Sequence, residues 1–172
     1  MATGIELRQV FPRTGTLKWI GLSPERRGPI SSVEQADVLV GSGLADDHHA
    51  RGGRSKREVN IILEEHLEVI GRLLERDTVP PDLVRRNLVV SGVNLTSLKN
   101  QRFRIGDVVL EGTGPCAPCS RMEENLGPGG YNAMRGHGGI TTIVIESGTL
   151  RVGDTVEWIG PAESNGTGDK DD

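Results

Sequence analysis

Residues 103–119 read F-R-I-G-D-V-V-L-E-G-T-G-P-C-A-P-C, and the reading of the whole chain follows from this stretch. Its first part is a short β-branched run, a Gly-Asp turn and a second such run. Gly106 is suited to positive φ, and Asp107 to accepting hydrogen bonds from nearby amides. The second part changes character. Pro115 and Pro118 disfavour helix for the residues before them, so the chain arrives at Cys119 extended. A weak echo, L-R-V-G-D-T-V-E, lies at 150–157. Two ordinary hairpin turns, at Gly106 and at Gly153 with Asp154, account for it better than a duplication.

Outward from this stretch the same punctuation recurs. The 172 residues include 24 glycines and 9 prolines, spread through the chain between many short apolar runs. The segments TLKWIGL, SSVEQADVLV, NLVVSGV, DVVLEGT and GITTIVIES are β-branched and bounded by Gly, Pro or Asn, and are read as strands. One helix stands out at 63–75, LEEHLEVIGRLLE. Its Leu63, Leu67, Ile70 and Leu74 form one stripe, with Glu64, Glu65 and Glu68 outside it, as for a helix packed on a sheet. His66 adjoins the apolar side and is read as a core or boundary histidine, since no second ligand sits at helical spacing. Pro80 and Pro81 end the segment. The expected fold is mainly β with a few short helices, in one domain over 1–160. Residues 161–172 form an acidic tail with no apolar content to bury, expected to be disordered.

Charge and composition exclude several classes of function. The net charge is −4, and the last ten residues, with four acids and one lysine, supply −3 of it. Five aromatic residues are too few for the basic, aromatic surface of a single-strand binder, so nucleic acid is not expected as a partner. No apolar run approaches the ~18 residues of a membrane span. A soluble protein is expected, without membrane association. Cysteines two residues apart cannot staple a secreted scaffold, and no leader-like segment opens the sequence, so a reducing cytoplasm is the expected compartment. The stretch R-G-G-R-S-K-R at 51–57 reads as a solvated loop or as a flap that closes over an anion.

Cys116 and Cys119 are the only cysteines. After them, Ser120-Arg121-Met122-Glu123 matches the S-x-x-E capping box, which puts Cys119 just before a helix N-terminus. The partial positive charge there, with Arg121 nearby, favours a thiolate, the form needed for nucleophilic and metal-ligand chemistry. The roles open to the pair are a redox couple, half of a zinc site, a soft ligand for another metal, or two inert thiols. A thioredoxin-type centre needs a strand leading into a long helix, and here the helix can run only to about Gly127. Zinc needs four ligands, usually in two knuckles, and the chain offers one. Prolines on one side and a capped helix on the other argue against inert thiols.

The residues resemble the MOSC domain family, named for the C-terminal domain of molybdenum cofactor sulfurase, and in particular its small stand-alone bacterial type. The resemblance rests on the order and spacing of several segments: T-L-K-W-I-G-L-S-P-E-R-R-G-P-I (16–30), G-S-G-L-A-D-D-H-H-A (41–50), L-V-R-R-N-L-V-V-S-G-V-N-L (83–95), the stretch 103–119, M-R-G-H-G-G-I (134–140) and G-T-L-R-V-G-D-T-V (148–156). It implies a MOSC-type antiparallel β-barrel with helices at its ends. The family's hallmark cysteine falls on Cys119, and its R-x-N on Arg85 and Asn87. Resemblance to the molybdenum-bearing members implies that Cys119 is the metal ligand and catalytic residue. Arg85, Asn87 and Cys119 would then bind the molybdenum cofactor (Mo-molybdopterin), Arg85 at its phosphate and Asn87 at the pterin edge. The alternative for Arg85 and Asn87 is to cap and orient a strand end. Asp46 and His48 stand where relatives commonly have glycine and a basic residue. If that glycine position needs positive φ, aspartate tolerates it better than most residues.

Three functions follow. One is an oxidoreductase removing oxygen from N-hydroxylated bases or amidoximes, with electrons from a separate donor protein. Another is a carrier holding a persulfide on Cys119 for metal-sulfur cofactor assembly, loaded by a sulfur donor. The last is a non-catalytic binding module. The expected partners are a small-molecule substrate or cofactor and one such donor.

Overall fold

The computed structural model describes residues 1–48, 50 and 55–163. Most of the acidic tail, and residues 51–54 of the basic stretch, lie outside the described residues. The elements in order are α1 (Gly4–Leu7), β1 (Gly15–Leu22), β2 (Ser31–Val33), β3 (Gln35–Leu39), β4 (Gly43–Leu44), β5 (Val59–Leu63), α2 (Glu64–Leu73), β6 (Leu88–Ser91), a 3-10 turn (Leu95–Leu98), β7 (Gln101–Ile105), β8 (Val108–Pro115), α3 (Ser120–Leu126), α4 (Gly130–Met134), β9 (Ile140–Glu146), β10 (Gly148–Arg151) and β11 (Thr155–Pro161). The expected mainly β fold with short helices is what forms.

Seven strands close a barrel in the order β11-β7-β8-β9-β5-β6-β1, with β11 returning to β1 through the pair Gly15 and Val156. All neighbours in the ring are antiparallel except β5 and β6. That parallel pair needs a crossover, and α2 supplies it. β2 extends β1 outside the ring, and β10, β3 and β4 form a separate three-stranded sheet.

Two apolar clusters hold the fold. Leu17, Ile20, Ile61, Leu88, Val90 and Phe103 belong to the first, inside the barrel. Ile62 and Val89 point the other way and meet Leu67 and Ile70 of α2, Met122 and Leu126 of α3, and Met134 of α4. β5 and β6 are therefore covered on both faces, which is why V-N-I-I-L and L-V-V-S carry no alternation. Truncating the fully buried Phe103 to alanine would cost about 3–5 kcal/mol.

The expected helix at 63–75 forms over Glu64–Leu73, and Leu63 is instead the last residue of β5 and the helix N-cap. At Gly71 an added Cβ would strike the Thr78 backbone, so glycine there lets the chain turn back under the helix toward Pro80. The two Gly-Asp units differ. Residues 103–110 form a hairpin, β7 against β8. Residues 150–157 do not, because β10 pairs with β3 while β11 pairs with β7 and β1. Asp154 still closes its turn, its Oδ2 accepting from the Arg151 amide at 2.8 Å. No helix among the described residues is long and apolar enough to cross a membrane.

Candidate functional site

β8 ends at Pro115, and the chain runs extended from there to Cys119, whose φ and ψ are −116° and 172°. Cys119 is itself the N-cap of α3, with no side-chain capping bond. The expected Ser120–Glu123 capping box does not form. The Glu123 carboxylate reaches forward instead, accepting from the Gly129 amide at 2.8 Å and the Tyr131 amide at 2.9 Å at the start of α4. These bonds hold it below the usual carboxylate range. The Cys119 side chain is thus committed to nothing local. It is exposed, whereas Cys116 is buried.

Cys119 opens on a pocket of about 340 Å³. Arg85 and Asn87 line the same pocket, so the three residues singled out in the sequence come together. They arrive from different elements: Cys119 from the start of α3, Asn87 from just before β6, and Arg85 from the turn ahead of it, where it holds φ of 54°. The Arg85 guanidinium donates from Nη1 to the Gly28 carbonyl at 2.9 Å and from Nη2 to Ser23 Oγ at 3.4 Å. Burial, and then the charge of Arg121, push it below its ordinary value, while Asp47 and Cys119 act in the opposite sense.

Asn87 works as a strap. Its Oδ1 accepts from the Asn60 amide at 3.1 Å, and its Nδ2 donates to Asp47 Oδ2 at 3.4 Å. Asp47 is 2 % exposed and also accepts from the Ser23 amide at 2.9 Å. His48 follows, with Nδ1 at 2.9 Å from the Ser23 carbonyl and 3.4 Å from Asp47 Oδ1. Asp46 adopts φ of 66°. Its side chain is exposed and does not line the pocket.

Sequence reasoning assigned no role to three further arginines of this pocket, Arg26, Arg27 and Arg86, and named a fourth, Arg121, only as a positive charge near Cys119. With Arg85 they place five arginines against one acidic residue, Asp47, in the lining, the guanidinium of Arg86 being committed to backbone carbonyls. Arg121 Nε is buried with no hydrogen-bond partner. Arg86, 6 % exposed, donates to the carbonyls of Gly138 (2.8 Å), Val84 (2.9 Å) and Cys116 (3.2 Å). It fastens the cysteine loop to the turn before β9. Burial depresses the Arg86 guanidinium, and the two cysteines offset part of that effect. For Arg26, Arg27 and Arg86 the signal was present in the R-R pairs at 26–27 and 85–86, but a sequence does not say which cations converge. Three non-glycine residues around the site, Arg27, Asp46 and Arg85, hold positive φ. Strain of this kind persists where surrounding structure over-determines the backbone, as at binding sites.

Chemically, the pocket offers one exposed soft sulfur and a surplus of planar, bidentate cations, a setting for a ligand that is both anionic and thiophilic. Among the described residues no group of three or more His, Cys, Asp or Glu could hold a metal ion by itself. A metal here would need ligands from a bound molecule in addition to Cys119.

Comparison with known proteins agrees with this architecture. The MOSC domain profile matches residues 46–157. Among solved structures, the YuaD protein from Bacillus subtilis is similar at a TM-score of 0.74 and 21 % identity, over 85 % of this chain and 96 % of that one. YiiM from Geobacillus stearothermophilus is similar at a TM-score of 0.69 and 14 % identity, over 84 % of this chain and 75 % of that one. YiiM from Escherichia coli is similar at a TM-score of 0.65 and 17 % identity, over 89 % of this chain and 73 % of that one. At these identities the likeness shows the fold. Among curated proteins none matches the sequence.

Proposed function

The chain belongs to the MOSC domain family, and from that premise we propose that its arginine-lined pocket binds the molybdenum cofactor. In this reading Cys119 is the protein's sulfur ligand, Arg85 faces the phosphate and Asn87 the pterin. The observation that carries it is the exposed Cys119 in one pocket with five arginines and a single acidic residue.

The residues present fit such a group. A thiolate is the soft ligand a dithiolene-bound molybdenum takes, and Cys119 needs no rearrangement to offer one. The unpartnered Nε of Arg121 is an orphaned donor that an anionic ligand would satisfy. Asn87 has one Nδ2 hydrogen left after its bond to Asp47, so it serves the ligand as a donor while its Oδ1 holds β5. When bound, the cofactor supplies two-electron chemistry toward the N–O bond of an N-hydroxylated base or amidoxime, converted with two protons to the amine or amidine and water. The chain's own part is to bind and orient. The guanidinium cluster neutralises the ligand's charge, Arg86 fixes the loop that ends in Cys119, and Asp47 sets the Asn87 amide. The electrons come from a separate donor protein, and the reading entails a reducing cytoplasm in which the thiol stays free.

The test is metal and pterin content of the full chain purified from a host that makes the molybdenum cofactor. Stoichiometric molybdenum that is lost in Cys119→Ser and retained in Cys116→Ser is the expected result. Metal-free protein carrying a reducible sulfane adduct on Cys119 overturns it in favour of a sulfur carrier. Protein with neither is a binding module.

A further inference from the structure

The loop that carries Cys119 has a second face. Behind Gly114–Pro118 lies another cavity, of about 320 Å³, which shares no lining residue with the Cys119 pocket. This volume lies at the lower end of the range for small-molecule sites.

Its walls are built from two unlike materials. Pro115, Ala117 and Pro118 of the loop, with Leu95 and Ile140, supply its apolar lining. The rest of the lining includes the exposed Tyr131 and glycine backbone at Gly136, Gly138 and Gly139, which runs alongside the loop: the Cys116 amide donates to the Gly139 carbonyl at 2.8 Å, and Pro115 pairs with Ile140. Two of these glycines are sterically required by the packing of the paired backbones: a Cβ at Gly138 would strike the Cys116 carbonyl, and one at Gly139, where φ is 83°, the Ile61 carbonyl. Tyr131 is 41 % exposed, and its amide is tied to Glu123 at 2.9 Å, so a fixed backbone presents an accessible ring.

The charges in the lining are all of one sign. Lys99 and Arg135 line the cavity, and no aspartate or glutamate does. Neither cation has an ion-pair or hydrogen-bond partner for its side chain among the described residues. His66 completes the lining, and its Nδ1 has no hydrogen-bond partner. An apolar lining with an exposed tyrosine takes an aromatic ring, and two unpaired cations take a negative charge on that ring. The geometry points to a binding site for a small aromatic carboxylate, its ring against Pro115, Ala117, Pro118 and Tyr131 and its charge at Lys99 and Arg135.

The site stands apart from the proposed cofactor pocket, and its test needs no cofactor. The full chain is titrated with 2-naphthoate and followed by amide NMR. Expected are shifts at Ala117, Gly136 and Gly138, with Ser23 and Asn87 unmoved, and at least tenfold weaker binding of the neutral 2-naphthamide. The exposed substitution Ala117→Trp abolishes binding by filling the slot, and Lys99→Gln with Arg135→Gln weakens it at least tenfold. Three results would overturn the assignment: no shifts at millimolar naphthoate, shifts confined to the Cys119 pocket, or equal affinity for the acid and the amide. The acid–amide comparison uses the unaltered chain, so it decides the matter even if a variant folds poorly.

Discussion

Arg86 Nη2 donates to the Cys116 carbonyl at 3.2 Å, and the same guanidinium reaches Gly138 and Val84. A single buried cation therefore holds the backbone beneath Cys119 against the turn that leads into β9. Replacing it with methionine leaves three buried carbonyls without this donor. The expected loss is about 3 kcal/mol or more, measured as a lower denaturant midpoint with the slope unchanged. Arg86→Lys should recover only part of it, because an ammonium cannot span the three acceptors of a planar fork.

The two thiols should separate cleanly by access. Under native conditions iodoacetamide is expected to label Cys119 and spare Cys116, and both should react once the chain is unfolded, because only Cys119 is exposed. Peptide mass mapping reads the result. Equal labelling of both in the folded protein would contradict the placement of Cys116.

His66 and His137 stand ring to ring, with centroids 5.3 Å apart at 70°. Burial, and then the neighbouring His137, lower the His66 value in the folded state. Because the unfolded chain then binds the proton more readily, stability is full above the ordinary histidine value and is lost as pH falls through the depressed one. Thermal melts between pH 8 and 5 should show a decline that is shallower in His66→Gln. An unchanged slope in that variant would assign the acid sensitivity to other groups.

Asp46 holds φ of 66° with an exposed side chain. Glycine at this position removes the steric cost of the left-handed conformation while adding backbone entropy to the unfolded chain. Asp46→Gly is expected to leave stability within about 1 kcal/mol of the parent, without loss of ligand binding in the Cys119 pocket. Calorimetry checks the first outcome, and cofactor content the second.

The strand-rich character was legible wherever one face of a strand meets the core and glycine or proline marks its ends, as in T-L-K-W-I-G-L and D-V-V-L-E-G-T. β5 was not. V-N-I-I-L is covered on both faces and runs without a break into α2, so Leu63 satisfied a helical stripe while belonging to a strand. The S-x-x-E pattern misled because the Gly127–Gly130 reversal offers Glu123 the amides of Gly129 and Tyr131, which it takes in preference to the helix start. At the site, Cys119, Arg85 and Asn87 were legible from the resemblance. The convergence of Arg26, Arg27, Arg86 and Arg121 was not, because it depends on long-range packing between loops. His137 near His66 escaped for the same reason, since 71 residues of chain separate them.

The barrel is sealed by its last strand. Gly15 faces Val156 and Thr16 faces Thr155, so the ring stays open until β11 has left the ribosome, long after β1. Contacts of such sequence separation form slowly, and until they form β1 and β7 present bare edges to other nascent chains. The chain is therefore most exposed to aggregation during synthesis, and mutations that weaken β11 should reduce soluble yield more than they lower the melting temperature of the molecules that do mature.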